Sequence, residues 1–426
     1  MAKVIVIGGG IAGLSAAYYL RQKSWDVTVL EKGDLSDNCS FGNMGYLSPS
    51  HLIPVAQPGM VEQGIMWMFD SKSPFYIRPE LSLRLLRWGW KFVRHANERH
   101  VQRSVKPLAE LLLFSRQCYI DWANDTPMRF ELTKNGCISW FKTPKKRDSE
   151  LATAELARQH GIEVEIIPDA ARAAEIEPDL RPDVLGGVWY KTDAHLHPGQ
   201  LMTQLPQYLE QIGVKIIKNT PVTGVEKDTG AIKAVFSGSE KYSADMFILA
   251  AGSWSPEVAR LLGEEVLLMP AKGYSMDLPM AAPKLHVPCI YLEGKVALTP
   301  FQHSLRIGST LEIGRINNQI MISRVQGILD GVLRCLPSMR QDPEFSTLAD
   351  PKYLRAHLRE RIWYGFRPLT PDGLPYIGFA RHHRNLILAT GHAMIGLSLG
   401  AGTGKMVAEL ASGEPLSVDI SAFAPR

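Results

Sequence analysis

The sequence predicts an α/β fold, α+β overall, because an apolar strand followed by small residues and then a helix occurs three times along the chain. These segments begin near Val4, Met246 and Leu386. Parallel strands of one sheet end at the same edge, which is where open α/β sheets bind ligands. We therefore expect the three glycine-rich turns to meet in one Rossmann-like domain that is assembled from distant pieces of chain.

The first segment carries a dinucleotide-binding pattern. An apolar strand runs into Gly8-x-Gly10-x-x-Gly13, and a helix begins at Ile11 and Ala12. Gly8 permits the tight turn, Gly10 lets a pyrophosphate approach the backbone, and Gly13 lets helix and strand pack closely. The free amides and the positive end of the helix dipole then favour the pyrophosphate. An ordinary glycine-rich turn between a strand and a helix is the alternative.

An acidic residue supports the dinucleotide interpretation. The next predicted strand, at 27–30, is followed by Glu31 and Lys32. A carboxylate at this place accepts the hydrogen bonds of an adenosine ribose and disfavours the additional phosphate of NADP. Strand, glycine motif, helix, second strand and acid therefore stand in the order that a dinucleotide site requires.

The second and third segments are predicted to bring further turns to the same edge. The strand that begins at Met246 leads into a helix with Ser255 as N-cap and Pro256 at the first helical position. The strand at 386–390 passes through a glycine-rich stretch into a helix predicted at 405–410.

Two long insertions separate these segments. We predict that residues 1–49, 196–263 and 366–426 form the cofactor domain. Residues 50–195 and 264–365 are predicted to form a second domain of mixed sheet and helices, which covers the cofactor and holds the substrate. Runs with strand character, separated by glycine and proline, support a sheet in the second insertion.

The composition is typical of a globular protein. Of the 426 residues, 45% are hydrophobic and 21% are charged, and no apolar run is long enough to span a bilayer. The glycine motif begins within ten residues of Met1, so we expect no signal peptide and a cytoplasmic location. A net charge of +4 does not favour nucleic acid. The five cysteines form no CxxC pair, so we expect reduced thiols and no metal site.

The placement of the glycine-rich turns favours FAD over a nicotinamide cofactor. A fingerprint near the beginning of the chain is completed by a second strand–helix turn near its end. The adenosine is expected at the first turn and the isoalloxazine at the last. A helix N-terminus near 397–405 would stabilise the negative charge that develops on the flavin during reduction.

Four motifs resemble those of the D-amino-acid oxidase superfamily. They are Cys-Ser-Phe-Gly-Asn-Met-Gly at 39–45, Pro-Ala-Lys-Gly-Tyr-Ser at 270–275, Gly-Phe-Arg-Pro-Leu-Thr-Pro-Asp-Gly-Leu-Pro at 365–375, and Gly-His-x-x-x-Gly at 391–396. Within this superfamily the chain is similar to bacterial D-amino-acid dehydrogenases. The resemblance covers nearly the whole chain and implies FAD and the oxidation of a carbon–nitrogen bond beside a carboxylate.

The resemblance implies that the loop at 40–47 lies against the isoalloxazine and that Val222 lies on the adenine side. We expect non-covalent FAD, because Asn43 and Met44 occupy the loop position where some relatives carry a linking histidine and no cysteine follows Cys335. The residues predicted to hold the cofactor are Gly8, Gly10, Ile11, Ala12, Gly13, Glu31, Lys32, Ser40, Asn43, Met44, Gly45, Leu47, Val222, Ala251, Gly252, Trp254, Gly391, Met394, Ile395, Gly396, Leu397 and Ser398.

Arg367 is the predicted substrate-binding residue. The resemblance implies that it holds the substrate carboxylate, and a guanidinium is suited to bind a carboxylate through two hydrogen bonds. Such a contact fixes Cα near N5 of the flavin, so hydride transfer depends mainly on positioning. The imine product then hydrolyses to a 2-oxo acid and ammonia. The alternative is that Arg367 pairs with Asp372 to brace the loop.

Three further residues are candidates for the catalytic site. The phenol of Tyr274 could bond the carboxylate or cover the site, and a buried core tyrosine is the alternative. His51 and His392 could each reach the flavin or the substrate, although isolated histidines more often have structural roles.

Residues 64–103 combine aromatic and basic side chains, with apolar residues at helical spacing over 81–93. Such a helix can lie in a membrane interface and deliver electrons to a quinone. The similar dehydrogenases are membrane-associated, so a peripheral location on the inner face of the cell membrane is one expectation. A core helix of the second domain with a solvated basic face is the alternative.

The leading function is thus oxidative deamination of a D-amino acid, with the electrons passed to a quinone or another acceptor. The same arginine could serve a secondary amine such as D-hydroxyproline, proline, sarcosine or glycine, and oxygen could be the acceptor. A non-catalytic flavin-binding subunit would need no carboxylate-binding residue, so Arg367 argues against it.

Overall fold

A computed structural model describes residues 1–36, 38–68, 72–280 and 284–426. The strands of these residues are, in chain order, β1 (Lys3–Ile7), β2 (Asp26–Leu30), β3 (Tyr46–Leu47), β4 (Phe75–Ile77), β5 (Leu132–Thr133), β6 (Cys137–Phe141), β7 (Val164–Ile167), β8 (Gly186–Tyr190), β9 (Ala194–Leu196), β10 (Lys215–Ile217), β11 (Gly224–Asp228), β12 (Ala231–Ser237), β13 (Glu240–Ser243), β14 (Met246–Leu249), β15 (Met269–Pro279), β16 (Cys289–Tyr291), β17 (Val296–Phe301), β18 (Ser304–Ile313), β19 (Trp363–Leu369), β20 (Tyr376–Phe379) and β21 (Leu386–Thr390).

The helices of the same residues are α1 (Ile11–Gln22), α2 (Met60–Met68), α3 (Leu83–His95), α4 (Glu98–Asp125), α5 (Pro144–Gln159), α6 (Ala170–Ile176), α7 (Pro198–Gln211), α8 (Ser255–Leu262), α9 (Ile322–Cys335), α10 (Pro343–Ala349), α11 (Pro351–Ala356), α12 (Leu358–Arg361) and α13 (Gly396–Ser412). Short 3₁₀ turns lie at Gly252–Trp254, Pro337–Gln341, Ala393–Ile395 and Ser421–Phe423.

The first sheet joins the three predicted segments. Its strand order is β10-β2-β1-β14-β21-β20, and β1 is parallel to both β2 and β14, while β14 is parallel to β21. Only β20 runs antiparallel to its neighbour among the described strands of this sheet. The turns after β1, β14 and β21 therefore lie at one edge, as the sequence predicts.

Helices cover this sheet on one face, and a smaller layer covers the other. One core cluster combines side chains of the sheet with those of α1, α4, α7 and α13. The opposite cluster includes α8 and the three-stranded sheet β11-β12-β13. Although α4 belongs to the predicted second domain, its Tyr119 hydroxyl donates to Leu397 O of α13 at 2.7 Å.

The third glycine-rich turn is shorter than the sequence suggests, because α13 begins at Gly396 and not at 405. The glycines that suggested a loop lie inside the helix, where neighbouring helices approach closely. A Cβ added at Gly404 would lie 2.4 Å from Ser15 C of α1, and one at Gly402 would lie 2.7 Å from Ser115 Cβ of α4. Tertiary packing therefore outweighs the weak helix propensity of glycine.

The predicted cap of α8 is also displaced by one residue. Trp254 occupies the N-cap position, and Ser255 is the first helical residue. The Ser255 hydroxyl is hydrogen-bonded to Thr390 Oγ1 at 2.7 Å, so it joins the second turn to β21 and does not cap the helix.

The second large sheet has the order β19-β15-β18-β17-β16-β6-β8-β7, with β4 beside β18. Its core cluster includes α9 and α10. The boundary predicted at 366 falls inside β19, which pairs with β15 over Trp363–Leu369. Arg367 therefore belongs to this sheet and not to the first sheet.

Helix α3, predicted at 81–93, spans Leu83–His95 and is capped by Ser82, whose side chain accepts from Leu85 N. Across the described ranges, no helix has both the length and the apolar character needed to span a membrane.

Candidate active site

One large cavity, of about 1210 Å³, runs between the two large sheets and is lined by residues of both. It extends from Glu31 and Val222 at the first sheet to Arg367 and Thr310 at the second. All four predicted catalytic residues line it: Arg367, Tyr274, His51 and His392.

The glycine motif forms a close turn at one end of this cavity. Gly8 has a φ of +115°, and a Cβ added there would lie 2.5 Å from Ala250 O. A Cβ at Gly13 would lie 2.0 Å from Gly8 O, so helix and strand can pack this closely only around a glycine. A Cβ at Gly10 would meet nothing within 4 Å, because that residue faces open space. The motif thus combines a packed turn with an accessible backbone.

Glu31 lies beside this turn and already binds backbone amides. Its carboxylate accepts from Gly9 N at 2.6 Å and from Gly33 N at 2.8 Å. Lys32 Nζ lies 3.1 Å from the centre of the Trp254 ring, and burial lowers the pKa of Lys32. These contacts link the first glycine turn to the second.

The loop at 40–47 is fixed at both ends of its path. Near the glycine motif, Ile11 N donates to Ser40 Oγ at 3.3 Å. Near the N-terminus of α13, the Ser398 hydroxyl donates to Tyr46 O at 2.7 Å. The loop therefore connects the N-termini of α1 and α13 along the cavity wall.

Side chains of the second sheet also hold this loop. The Ser275 hydroxyl donates to Gly42 O at 2.8 Å, Thr299 Oγ1 donates to Met44 O at 2.7 Å, and Arg306 Nη1 donates to Asn43 O at 2.7 Å. Sequence reasoning did not identify Thr299 and Arg306 as site residues. Both lie more than 250 positions from the loop, and no local motif marks them.

The turn after β21 brings a neutral histidine, His392, and backbone groups to the cavity. The His392 ring nitrogen Nε2 is hydrogen-bonded to Thr403 Oγ1 at 3.0 Å, and burial lowers the pKa of His392 to about 4. Ala393 follows with a φ of +47°, an uncommon conformation for a residue with a side chain. Met394, Ile395 and the first residues of α13 then line the cavity.

Arg367 lies in the cavity wall without a carboxylate partner. Its Nη1 donates to Thr310 O at 2.7 Å, and none of the described carboxylates forms an ion pair with it. Asp372, the partner in the alternative interpretation, instead accepts from Arg426 Nη2 at 2.6 Å. Burial lowers the pKa of Arg367 to about 10, so the guanidinium remains charged at neutral pH. The residue is half-buried because it faces the cavity, and a partly desolvated cation without a counter-ion is costly, so an anionic ligand would offset that cost.

Two backbone features make room for the Arg367 side chain. Gly273 of β15 lies beneath it, since a Cβ added there would be 1.9 Å from Arg367 Nη1. Opposite Gly273, the register between β15 and β18 shifts, and Thr310 has a φ of +73°. Such a bulge with strained backbone is common beside active sites, and here it orients the Thr310 carbonyl toward the guanidinium.

Tyr274 is buried, and its hydroxyl is engaged away from Arg367. The hydroxyl donates to Glu312 Oε1 at 2.5 Å and accepts from Met321 N at 3.1 Å. Burial raises the pKa of Tyr274, and Glu312 raises it further. This geometry favours the alternative of a core tyrosine that positions the segment before α9.

His51 faces the cavity next to a buried carboxylate network. Burial lowers the pKa of His51 to about 4, and Lys295 adds to this effect. The preceding Ser50 donates through its backbone and hydroxyl to Asp193, at 3.1 and 2.6 Å. Asp193 therefore fixes the segment that carries His51.

Most of the predicted cofactor residues line the cavity, and four others pack in the layer behind its wall. Gly13 packs on Gly8, and a Cβ at Gly45 would lie 2.2 Å from Leu196 O. Leu47 is buried in the core, and Gly391 has a φ of +80° under Thr370. The predicted cofactor residues that line the cavity are Gly8, Gly10, Ile11, Ala12, Glu31, Lys32, Ser40, Asn43, Met44, Val222, Ala251, Gly252, Trp254, Met394, Ile395, Gly396, Leu397 and Ser398.

Comparison with known proteins gives one family and several relatives. The family model described as "DAO: FAD dependent oxidoreductase" matches residues 3–410. A D-amino acid dehydrogenase of Helicobacter pylori (strain ATCC 700392 / 26695) is 30% identical over 409 residues, covering 96% of this chain and 94% of the relative.

Solved structures share the fold at lower identity. Glycine oxidase from Geobacillus kaustophilus matches with a TM-score of 0.76 and 20% identity, covering 100% of this chain and 98% of the other. L-proline dehydrogenase from P. horikoshii matches with a TM-score of 0.73 and 17% identity, covering 100% and 96%. These likenesses establish the fold class.

Proposed function

The chain belongs to the DAO family of FAD dependent oxidoreductases, and we propose that it is a dehydrogenase that oxidises the Cα–N bond of a D-amino acid. The observation that carries this proposal is Arg367, a half-buried cation without a carboxylate partner among the described residues, in the same cavity as the glycine turns. A relative that is 30% identical over nearly the whole chain carries the name D-amino acid dehydrogenase, which supports the choice of substrate class.

The residues of the cavity fit FAD. The open backbone at Gly10 and the N-terminus of α1 suit a pyrophosphate, and Glu31 and Val222 border the adenosine end. The loop at 40–47 and the N-terminus of α13 border the other end. Bound FAD would supply the acceptor for the hydrogen and the two electrons that leave Cα.

The protein's own contribution is to bind and orient the substrate. Arg367 binds the carboxylate, and Gly273 and Thr310 fix the guanidinium in the cavity wall. His51 and His392 remain neutral at physiological pH, so neither adds a charge that would repel the substrate amine. An amine that enters neutral needs no general base, and its second N–H proton passes to solvent as the imine forms and hydrolyses.

We further propose that FAD is held without a covalent bond and that a quinone is the electron acceptor, reached at a membrane surface. Helix α3 supports the second point because one face is exposed and apolar: Leu83 is 86% exposed, Leu86 67%, Trp90 58% and Val93 56%. Its opposite face packs, since Trp88 is buried and donates through Nε1 to Leu369 O at 2.8 Å. Basic residues flank the exposed face, as in helices that lie on anionic membranes.

The predicted aromatic and basic stretch at 64–103 extends beyond α3. Residues 69–71 of this stretch lie outside the described residues. Ile65 and Met66 of α2, which are 56% and 66% exposed, are further apolar side chains on the surface.

Anaerobic mixing of the purified flavoprotein with a panel of D- and L-amino acids tests the proposed substrate class. We expect primary D-amino acids to bleach the absorbance of the oxidised flavin, since they reduce it, and L-enantiomers to leave it unchanged. Bleaching by D-hydroxyproline, proline or sarcosine but by no primary D-amino acid would replace the proposal with a secondary-amine dehydrogenase. Rapid reoxidation by dissolved oxygen, compared with a soluble quinone, would identify an oxidase.

A further inference from the structure

A polar part of the cavity has, apart from neutral His51, no role in the proposed reaction. One face of α5, together with the turn before β17 and the segment after β3, lines this region, which we name the distal chamber. Its polar side chains include His51, Lys146, Glu150, Thr153, Tyr190 and Lys295.

Lys295 is the central cation of the distal chamber. It occupies the turn between β16 and β17 with a φ of +52°, and its carbonyl accepts from the Ser309 hydroxyl at 2.6 Å. The residue is exposed and lines the cavity, and the protein around its ammonium lowers the pKa of Lys295 by desolvation. The ammonium makes no hydrogen bond or ion pair with the described residues.

The charged groups that act on Lys295 are Lys146, Glu150 and Glu293, so the two lysines and the two acids balance formally. Lys146 adds a second cation. The carboxylate of Glu150 accepts from the Tyr190 hydroxyl at 2.8 Å, and that of Glu293 accepts from Thr143 N at 2.9 Å. Both acids raise the pKa of Lys295 electrostatically, but neither forms an ion pair with its ammonium. His51 is neutral, so it can offer a hydrogen bond but no charge.

The position of Lys295 relative to Arg367 is set by strand β18. Arg367 reaches Thr310 O of this strand across Gly273, and Lys295 is bonded to Ser309 of the same strand from the other side. Arg367 and Lys295 thus line one cavity, and each is held to one of two consecutive residues of β18, Lys295 through its backbone carbonyl.

We propose that Lys295 binds a second carboxylate, at the end of the substrate side chain, so that the preferred substrates are acidic D-amino acids of four or five carbons. This inference rests on the proposed function, because it assigns the α-carboxylate to Arg367 and the side-chain carboxylate to Lys295. A charged hydrogen bond inside a cavity is strong enough to discriminate between a carboxylate and its uncharged amide.

Matched substrates and variants test this inference. D-glutamate and D-glutamine have the same shape and differ in side-chain charge. We expect the wild-type kcat/KM to favour D-glutamate by roughly 10- to 100-fold. Lys295→Gln should reduce this ratio to near one, mainly through KM, and Lys295→Arg should retain most of it. Lys145→Gln, which removes an exposed lysine outside the cavity lining, is the control and should keep the wild-type ratio.

A binding measurement separates this inference from the proposed reaction. Glutarate, a dicarboxylate that cannot be oxidised at an amine carbon, should raise the melting temperature of the wild-type holoenzyme more than butyrate does, and Lys295→Gln should remove that difference. If D-alanine bleaches the flavin while wild type shows no preference for D-glutamate, the inference fails and the proposed function stands. If no D-amino acid bleaches the flavin, the proposed function fails, and an equal response to glutarate and butyrate then overturns the inference as well.

Discussion

Gly273 shows how a single residue can control a charged side chain that lies on a neighbouring strand. The Arg367 guanidinium occupies the space that a Cβ at Gly273 would fill. We therefore expect Gly273→Ala to displace the guanidinium and to reduce kcat/KM for the amino acid by roughly 10- to 100-fold, because small errors of position are costly in a preorganised site. Steady-state kinetics with an artificial acceptor would measure this.

Gly89→Ala is the matched control for that substitution. A Cβ at Gly89 in α3 would meet nothing within 4 Å. Its kinetic constants should equal those of the wild type. Equal kinetics for Gly273→Ala would mean that the position of Arg367 does not matter for the reaction.

The buried histidines give the protein a defined response to acid. The pKa of His392 is about 4 in the folded protein, against a usual value of 6.5, because burial disfavours the charged ring. Above pH 6.5 the ring is neutral in both folded and unfolded states. Between pH 6.5 and 4 the unfolded state binds the proton first, so stability is lost as the pH falls.

His392→Gln should therefore be less sensitive to acid than the wild type. Between pH 7 and pH 4, the free energy of unfolding of the wild type should fall by up to about 3 kcal/mol more than that of the variant. Thermal unfolding at a series of pH values would measure it. Parallel pH profiles for the two proteins would show that His392 does not titrate as the burial of its ring implies.

At the scale of elements, helix α3 has two different faces. Trp88 packs into the protein, and Leu86 and Trp90 are largely exposed. Arg84 and Arg87 form ion pairs with Glu257 and Glu265, respectively. The positive charges that could contact anionic lipid therefore belong to other basic residues of α3, such as Lys91 and Arg94. This combination supports binding to an anionic lipid surface, with salt dependence.

Substituting both Leu86 and Trp90 by serine should abolish most co-sedimentation with vesicles that contain anionic lipid at low salt. The packed side of α3 is unchanged, so reduction of the flavin by the amino acid should persist. Leu261→Ser, which removes an apolar side chain of α8 that is 40% exposed, is the control. Equal sedimentation of the wild type, the Leu86/Trp90 double variant and Leu261→Ser would contradict a role for the exposed face of α3 in lipid binding.

The elements also show what the sequence could and could not predict. Strands β1, β2, β14 and β21 follow from apolar runs that end at small residues, and their parallel pairing follows from the order of strands and helices. The beginning of α13 was wrong by nine residues, because Gly400, Gly402 and Gly404 indicate a loop locally. Only the close approach of α1 and α4 explains why these glycines are helical.

At the scale of the whole molecule, the site depends on contacts between distant segments. The loop at 40–47 could be predicted as a cofactor loop from its resemblance to a family motif. Its attachment to Ser275, Thr299 and Arg306 could not, since each contact joins residues more than 230 positions apart. The distal chamber was missed for the same reason, because Lys295 and Glu150 carry no local signal.

A cofactor that contacts both sheets should stabilise the whole molecule. Binding to the folded state alone adds about 2.7 kcal/mol when free FAD is 100 times its Kd. We expect removal of FAD to lower the melting temperature and re-addition to restore it. Precipitation of the holoprotein with acid should release yellow flavin into the supernatant, and flavin that remained in the pellet would contradict non-covalent binding.

The most direct test of the account is the reduction of bound flavin by the preferred D-amino acid in Arg367→Ala, followed by anaerobic stopped-flow absorbance. If Arg367 binds the substrate carboxylate, the variant should retain its FAD, and the apparent second-order rate constant for reduction should fall roughly 100-fold or more, with a weaker apparent affinity. An unchanged rate constant in a flavin-loaded variant would contradict the central claim that the Arg367 guanidinium holds the substrate.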